Sequence, residues 1–234
     1  MTDAFSGRNP YLRTYSNTFG NVDEMVILRS FELTARRFRS KLLRLVDDLA
    51  AGRIDVKAFT TSSSRLLRTE FGIAYALGAL SISPFHTLAV RDIRVIDGEL
   101  QEERAFLRSF AKDLDRGFVV LDPVQRAGLY LQALRGMFEL GRIEALPAGP
   151  YDWNLSDTEH CLECIEVSGG GPYQKTPTSG LGIPPLPGIP GSGDVCRGLT
   201  RCGCYITLSG IPTPHVNLER EIRNVLAEVL HDTS

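Results

Sequence analysis

The chain has 234 residues and a formal net charge of −2, with 43% apolar and 23% charged side chains, proportions ordinary for a soluble globular protein. That length suits one large domain or two modest ones and allows a core without covalent staples. No apolar run reaches the roughly eighteen residues a membrane-spanning helix needs, and the N-terminus lacks an apolar h-region, so no secretory signal is expected.

Charge is unevenly placed. Residues 1–148 carry 21 basic and 18 acidic side chains, and residues 149–234 carry 5 and 10. Of the 26 basic residues, 22 are Arg, a bias that suits bidentate contacts to carboxylate or phosphate. Solvated helix faces explain it more simply.

Residues 1–20 show no helical period and contain Gly7, Asn9-Pro10 and Gly20. They read as an extended arm, with Tyr11, Leu12, Tyr15 and Phe19 as apolar handles for its own domain or a partner. Asn21 followed by Glu24 has the form of a capping box. A first helix is then expected on the seam Leu28, Phe31, Ala35, Phe38, Leu42, Leu45 and Leu49, ended by Gly52. The steps alternate between three and four, the mark of a bundle core.

A second helix is expected from Asp55 to about Leu80, on Phe59, Leu66, Ile73, Leu77 and Leu80, broken by Ser83-Pro84. Asp97-Gly98 reads as a turn. A third helix follows over about 99–116, on Leu100, Phe106, Leu107, Phe110 and Leu114, closed by Gly117. Asp122 as N-cap with Pro123 at N1 opens a fourth, running through Val124, Leu131, Leu134 and Phe138 to Gly141. Short links between four helices predict an all-α domain over residues 21–148.

Pro147-Ala-Gly-Pro150 marks a boundary, and composition then turns to Gly, Pro and Cys. Short strands are expected at 163–167 and 204–208. The 149–209 region thus reads as a small Cys-rich, zinc-ribbon-like β module. Pro212 and Pro214 hand over to a last helix within 210–234, from about Asn217, with Leu218, Ile222, Val225, Leu226, Val229 and Leu230 on one face. The fold class is mainly α: a bundle-like domain, a small β module and a C-terminal helix.

All five cysteines lie between Cys161 and Cys204, as C-x2-C followed by C-x5-C-x-C. Three readings compete. A disulfide framework fits poorly, because the count is odd and no secretory signal precedes it. A redox C-x-x-C calls for a strand-to-helix setting, and here a glycine run follows. A c-type haem site is excluded, since Ile165 stands where its histidine belongs. Structural Zn2+ remains, because paired thiolates two residues apart wrap one side of a tetrahedral ion and a second cluster closes the other.

Zinc also accounts for the loop between the clusters. Residues 168–193 hold eight Gly and six Pro in twenty-six positions, and such a segment cannot bury enough apolar surface to offset its ordering entropy. Tying its ends to one ion contributes roughly 10–16 kcal/mol of apparent binding free energy. The expected ligands are Cys161, Cys164, Cys196 and Cys202. Cys204, separated from Cys202 by Gly203 alone, is expected to face the opposite way once 202–206 is extended. A Cys202/Cys204 pairing with Cys161 and Cys164 is the alternative, and His160 is a further alternate.

The order Arg126-Ala127, Tyr130-Leu131-Gln132-Ala133, Trp153, His160-Cys161-x-x-Cys164, a Pro/Gly span, Cys196 and Arg201-Cys202-x-Cys204 resembles the minor head proteins of tailed bacteriophages, within the phage Mu F-like head morphogenesis group. The resemblance covers residues 120–208 and reaches the N-terminal helices only in character. Relatives often carry a His shortly before the final cysteines, where Cys196 stands here. The resemblance implies a minor capsid protein of the virion, assembled in the host cytoplasm in multiple copies. Its implied partners are portal, major capsid or neck subunits, with no membrane contact and DNA contact secondary.

No catalytic constellation is legible, which predicts a non-enzymatic protein. His86, His215 and His231 read as ordinary surface, loop or core residues. Gly169-Gly170-Gly171 lacks the Lys-Ser/Thr of a phosphate loop, no Ser sits in a G-x-S-x-G elbow, and the H-x-E with P-C-x-x-C of zinc deaminases is missing. The rival reading is a zinc-ribbon nucleic-acid-binding or assembly factor using Arg197 and Arg201. The net acidity of the Cys-rich half weighs against it.

Overall fold

The computed structural model describes residues 24–83, 85–117, 123–147, 149–155, 161–174, 204–210 and 216–231. Helix α1 (Glu24–Ala50) presents Ile27, Phe31, Ala35, Phe38, Leu42, Val46 and Leu49 to the core, with Leu28 and Leu45 at its margins. Six steps across these twenty-two residues average about 3.7, the period of a straight helix rather than the 3.5 of a left-handed coil. The expected heptad seam therefore shifts by one residue at two places, Ile27 for Leu28 and Val46 for Leu45, and keeps the other five. Asn21 lies outside the described residues.

Gly52, at φ +68°, turns the chain out of α1, and its N–H donates to the Leu49 carbonyl at 3.0 Å. Only glycine adopts that left-handed backbone without strain. Asp55 then caps α2 (Val56–Ile82), accepting the Ala58 N–H at 2.7 Å. The two helices form an antiparallel hairpin, pinned where Arg37 forks onto Glu70, with Nε to Oε1 at 2.9 Å. Glu70 is 1% exposed, so the pair satisfies a carboxylate that burial would otherwise penalise.

Helix α3 (Val90–Asp115) starts nine residues before the expected position and runs straight through Asp97-Gly98. Asp92 explains the early start. It accepts the Ala89 N–H and the Tyr75 O–H, each at 2.7 Å. Ile96 and Leu100 are buried on either side of the pair, and their burial outweighs the roughly 1 kcal/mol that Gly98 costs a helix. His86 places Nε2 at 3.3 Å from Asp92 Oδ2, outside hydrogen-bond geometry. Phe106, expected in the core, is instead 62% exposed. Gly117 does close the helix, at φ +66°.

Helix α4 (Pro123–Ala145) begins on its proline as expected; Asp122 lies outside the described residues. It continues past Gly141, which is a contact residue rather than a stop. A methyl group on Gly141 would sit 2.0 Å from the Tyr75 carbonyl oxygen, and one on Gly78 would sit 1.9 Å from that of Phe138. The backbones of α2 and α4 touch at these two glycines. Arg142 pairs with Glu139 at 3.2 Å in the same buried layer.

Helix α6 (Val216–His231) answers a point the sequence leaves open: it packs on this chain's own α1 and α4. Ile222, Val225, Leu226 and Val229 join the main core. Among the described residues the protein is thus mainly helical, with six helices and one two-stranded sheet. None of those helices is long and apolar enough to cross a membrane.

Candidate metal centre

A second, smaller core lies beside the bundle: Ile143, Tyr151, Trp153, Cys164, Tyr173, Cys204 and Ile206, with Cys161 at its edge. Its frame is a sheet of β1 (Tyr151–Asn154) and β2 (Tyr205–Leu208), antiparallel, with Trp153 opposite Ile206 and Asn154 opposite Tyr205. Burial alternates along β1, with Tyr151 and Trp153 inward. Asn154 Nδ2 donates to Thr207 Oγ1 at 2.8 Å on the other face. Tyr173 extends the sheet edge by exchanging two 2.7 Å backbone hydrogen bonds with Tyr151.

Two corrections concern the cysteines. Residues 163–167 are not a strand. They lie in α5 (Leu162–Gly169), with Cys161 as N-cap and Cys164 in the first turn. A spacing of three puts both on one helical face, and burial of Cys164 (1% exposed) with half-burial of Val167 favours that face over a pleat. The first cysteine pair therefore lies on a helix that packs against β1 of the two-stranded sheet rather than on a strand.

Cys204, expected to face away, is fully buried in this small core with Cys164. It shares the inward face of Ile206, two residues on. Of the expected ligands Cys161 and Cys164, and of the alternates Cys204, belong to or border this small core; Cys196, Cys202 and His160 lie outside the described residues. Among the described residues alone, no three Cys, His, Asp or Glu side chains are placed to hold an ion.

The surroundings fit thiolates. The N-terminal end of a helix favours negative charge, and there Cys161 is the N-cap of α5 and Cys164 lies in its first turn. Trp153 is 3% exposed, and among the described residues nothing accepts its Nε1–H. A buried donor of that kind suits a neighbouring anionic sulfur. Burial pushes the Tyr173 phenol up, and burial followed by the nearby Glu144 carboxylate does the same to Tyr151. Both stay protonated donors: Tyr151 Oη to the Pro147 carbonyl at 2.6 Å, and Tyr173 Oη to that of Val167. An all-sulfur donor set in an apolar shell fits Zn2+ better than an oxygen-seeking ion.

Neither β1 nor the Tyr173 bridge was expected from the sequence; Trp153 and Tyr151 on alternate residues were the available signal. No family model, no curated protein and no solved structure matches this chain.

Proposed function

We propose that this protein is a non-enzymatic structural component of a tailed-phage head, a minor capsid or head morphogenesis protein whose small C-terminal module is closed by one structural Zn2+. The observation that carries the proposal is the convergence of Trp153, Cys161, Cys164 and Cys204 into one core. These are residues of the motif order on which the resemblance rests, and they come from both sides of the Pro/Gly-rich span. In this reading the thiolates come from Cys161, Cys164 and Cys204 together with Cys202 or Cys196, since no three of the described side chains are by themselves placed to hold an ion. The ion holds the ends of that span together and leaves the loop to lie along a portal, capsid or neck subunit. Folding of such a segment on its partner suits stepwise assembly.

The test is incorporation. Chains lacking residues 1–20 or 175–192, the second deletion sparing Tyr173 of the small core, are expected to stay folded and soluble and to fail to enter particles. Normal incorporation of both deletions would overturn the reading, as would steep salt-dependent DNA binding together with indifference to portal and capsid subunits.

One observation favours a second reading. A redox dithiol calls for a helix after its C-x-x-C, and α5 supplies that helix, with Cys161 half-buried and Cys164 buried. Metal content separates the two, since a redox pair is isolated without stoichiometric zinc.

A further inference from the structure

The α1–α2 hairpin carries a charge pattern that metal and capsid docking leave unused. Residues 36–70 hold nine basic and four acidic side chains, in a chain whose net charge is −2. Across all 27 residues of α2 there is a single acid, Glu70. Along the outer seam of the hairpin runs a cleft of about 340 Å³, lined by Lys41 and Arg44 from α1 and by Ser62, Arg65 and Glu70 from α2.

Elsewhere on the bundle several arginines are matched with carboxylates: Arg36 with Glu32, Arg53 with Asp48, Arg68 with Asp97 and Arg91 with Glu144. Among the described residues, Lys41, Arg44 and Arg65 have no such partner. Arg44 reaches only the Ser40 hydroxyl, at 3.2 Å. The one carboxylate of the cleft, Glu70, is buried and held in the Arg37 fork, so it offers those cations little. The cleft thus keeps three exposed positive heads and the Ser62 hydroxyl. Lys41 and Arg44 are one turn apart, and Arg65 faces them from the antiparallel helix.

We propose that this cleft is a sequence-independent phosphate site for the nucleic-acid backbone, with Lys41, Arg44 and Arg65 contacting successive phosphates. Three features select that ligand. The donors are long, exposed side chains rather than buried N–H groups, so a lone phosphate would stay hydrated among them. A polyanion meets the whole basic hairpin at once and releases a condensed counterion for each phosphate neutralised. Duplex DNA places one charge per roughly 1.7 Å of axis, a density that acidic protein segments do not sustain. Contacts of such cations to phosphate fix position and carry no sequence information. This site is independent of the head-protein reading and of the zinc module.

The experiment is fluorescence anisotropy of a labelled mixed-sequence duplex with the full-length protein across a salt series. Three phosphate contacts predict a slope of log K against log salt of about −2.7 from this cleft. The triple variant K41Q/R44Q/R65Q should lose most of that slope and bind at least about tenfold more weakly near 50 mM salt. R44Q and R65Q alone should each remove about 0.9 of slope, and K57Q, an exposed cation outside the cleft, should remove less than either. All four positions are exposed, and helical circular dichroism checks that each variant is folded. An unchanged slope in the folded triple variant overturns the proposal, as does absence of binding by the wild type at that salt. Displacement of the duplex by polyglutamate at equal charge would assign the cleft to an acidic protein, and displacement by millimolar inorganic phosphate to a small anion; either result overturns it.

Discussion

Replacing Gly78 with alanine sets two effects of opposite sign against each other, and the structure decides between them. Alanine is the better helix former by about 1 kcal/mol, so α2 taken alone would gain. In the protein the new methyl would lie 1.9 Å from the Phe138 carbonyl oxygen and 2.8 Å from its carbon. Real Cβ contacts essentially never fall below 3.0 Å, so the helices must part locally by about 1 Å. Both atoms are backbone, so no side chain can turn aside. A gap of 0.5–1 Å forfeits about a quarter to a half of each dispersion contact along the seam, where Phe71, Ala74, Leu77, Leu134 and Phe138 are buried. Overpacking of this kind costs typically 1–3 kcal/mol and occasionally more. We expect a net loss of about 2 kcal/mol or more for Gly78→Ala and for Gly141→Ala. Gly98→Ala and Gly136→Ala are the controls. Both glycines are helical, and an added methyl would meet nothing within 4 Å at either, so each should gain up to about 1 kcal/mol. Urea unfolding followed by circular dichroism reads all four. Gly78→Ala and Gly141→Ala as stable as the controls would refute the close crossing of α2 and α4.

Three further outcomes follow from the same packing. Chelation should leave most of the far-UV helical signal intact while residues 150–210 become protease-sensitive, because the main core draws on α1–α4 and α6 and includes no cysteine; cooperative loss of all helix would show one folding unit. Tyr75, Tyr151 and Tyr173 all have phenols raised above the ordinary 10.0. The folded state therefore holds those protons more tightly than the unfolded chain, so their contribution is complete below about pH 10 and is lost as pH rises through that range. Thermal melts from about pH 8 to about pH 11 should show that fall, and Tyr151→Phe and Tyr173→Phe should flatten it. Glu70→Ala removes a buried carboxylate from its partly exposed partner Arg37 and should cost about 1–3 kcal/mol in urea unfolding, while a change within about 0.5 kcal/mol would mean that Arg37 is satisfied without it.

The bundle was largely legible in the sequence because its helices announce themselves twice, by apolar period and by their ends. Asp55, Pro123, Gly52 and Gly117 all act as the sequence indicates. Misreadings arose where one residue type serves two purposes. Gly141 has the letter of a stop and the use of a contact. Asp97-Gly98 has the form of a turn, but Ile96 and Leu100 are held in the core around it. Near the cysteines, the short run Glu163 to Val167 carries no decisive period, and the burial of Cys164 with Val167 three residues on goes with the helix α5. β1 is four residues long and its partner lies some fifty positions away, so no local signal marks it. The inward turn of Cys204 was within reach of sequence reasoning, because two residues in extended chain share a face.

A thiolate zinc centre in the small core that Cys164 and Cys204 share is tested most directly by the metal content of full-length protein purified without chelator, wild type beside Cys164→Ser and Cys204→Ser. Such a centre predicts about one zinc per wild-type chain, as a tetrahedral structural site holds, and loss of that zinc in both variants. Wild-type protein without any transition metal would contradict the centre itself. Full zinc retained in Cys204→Ser would contradict the place of Cys204 in it.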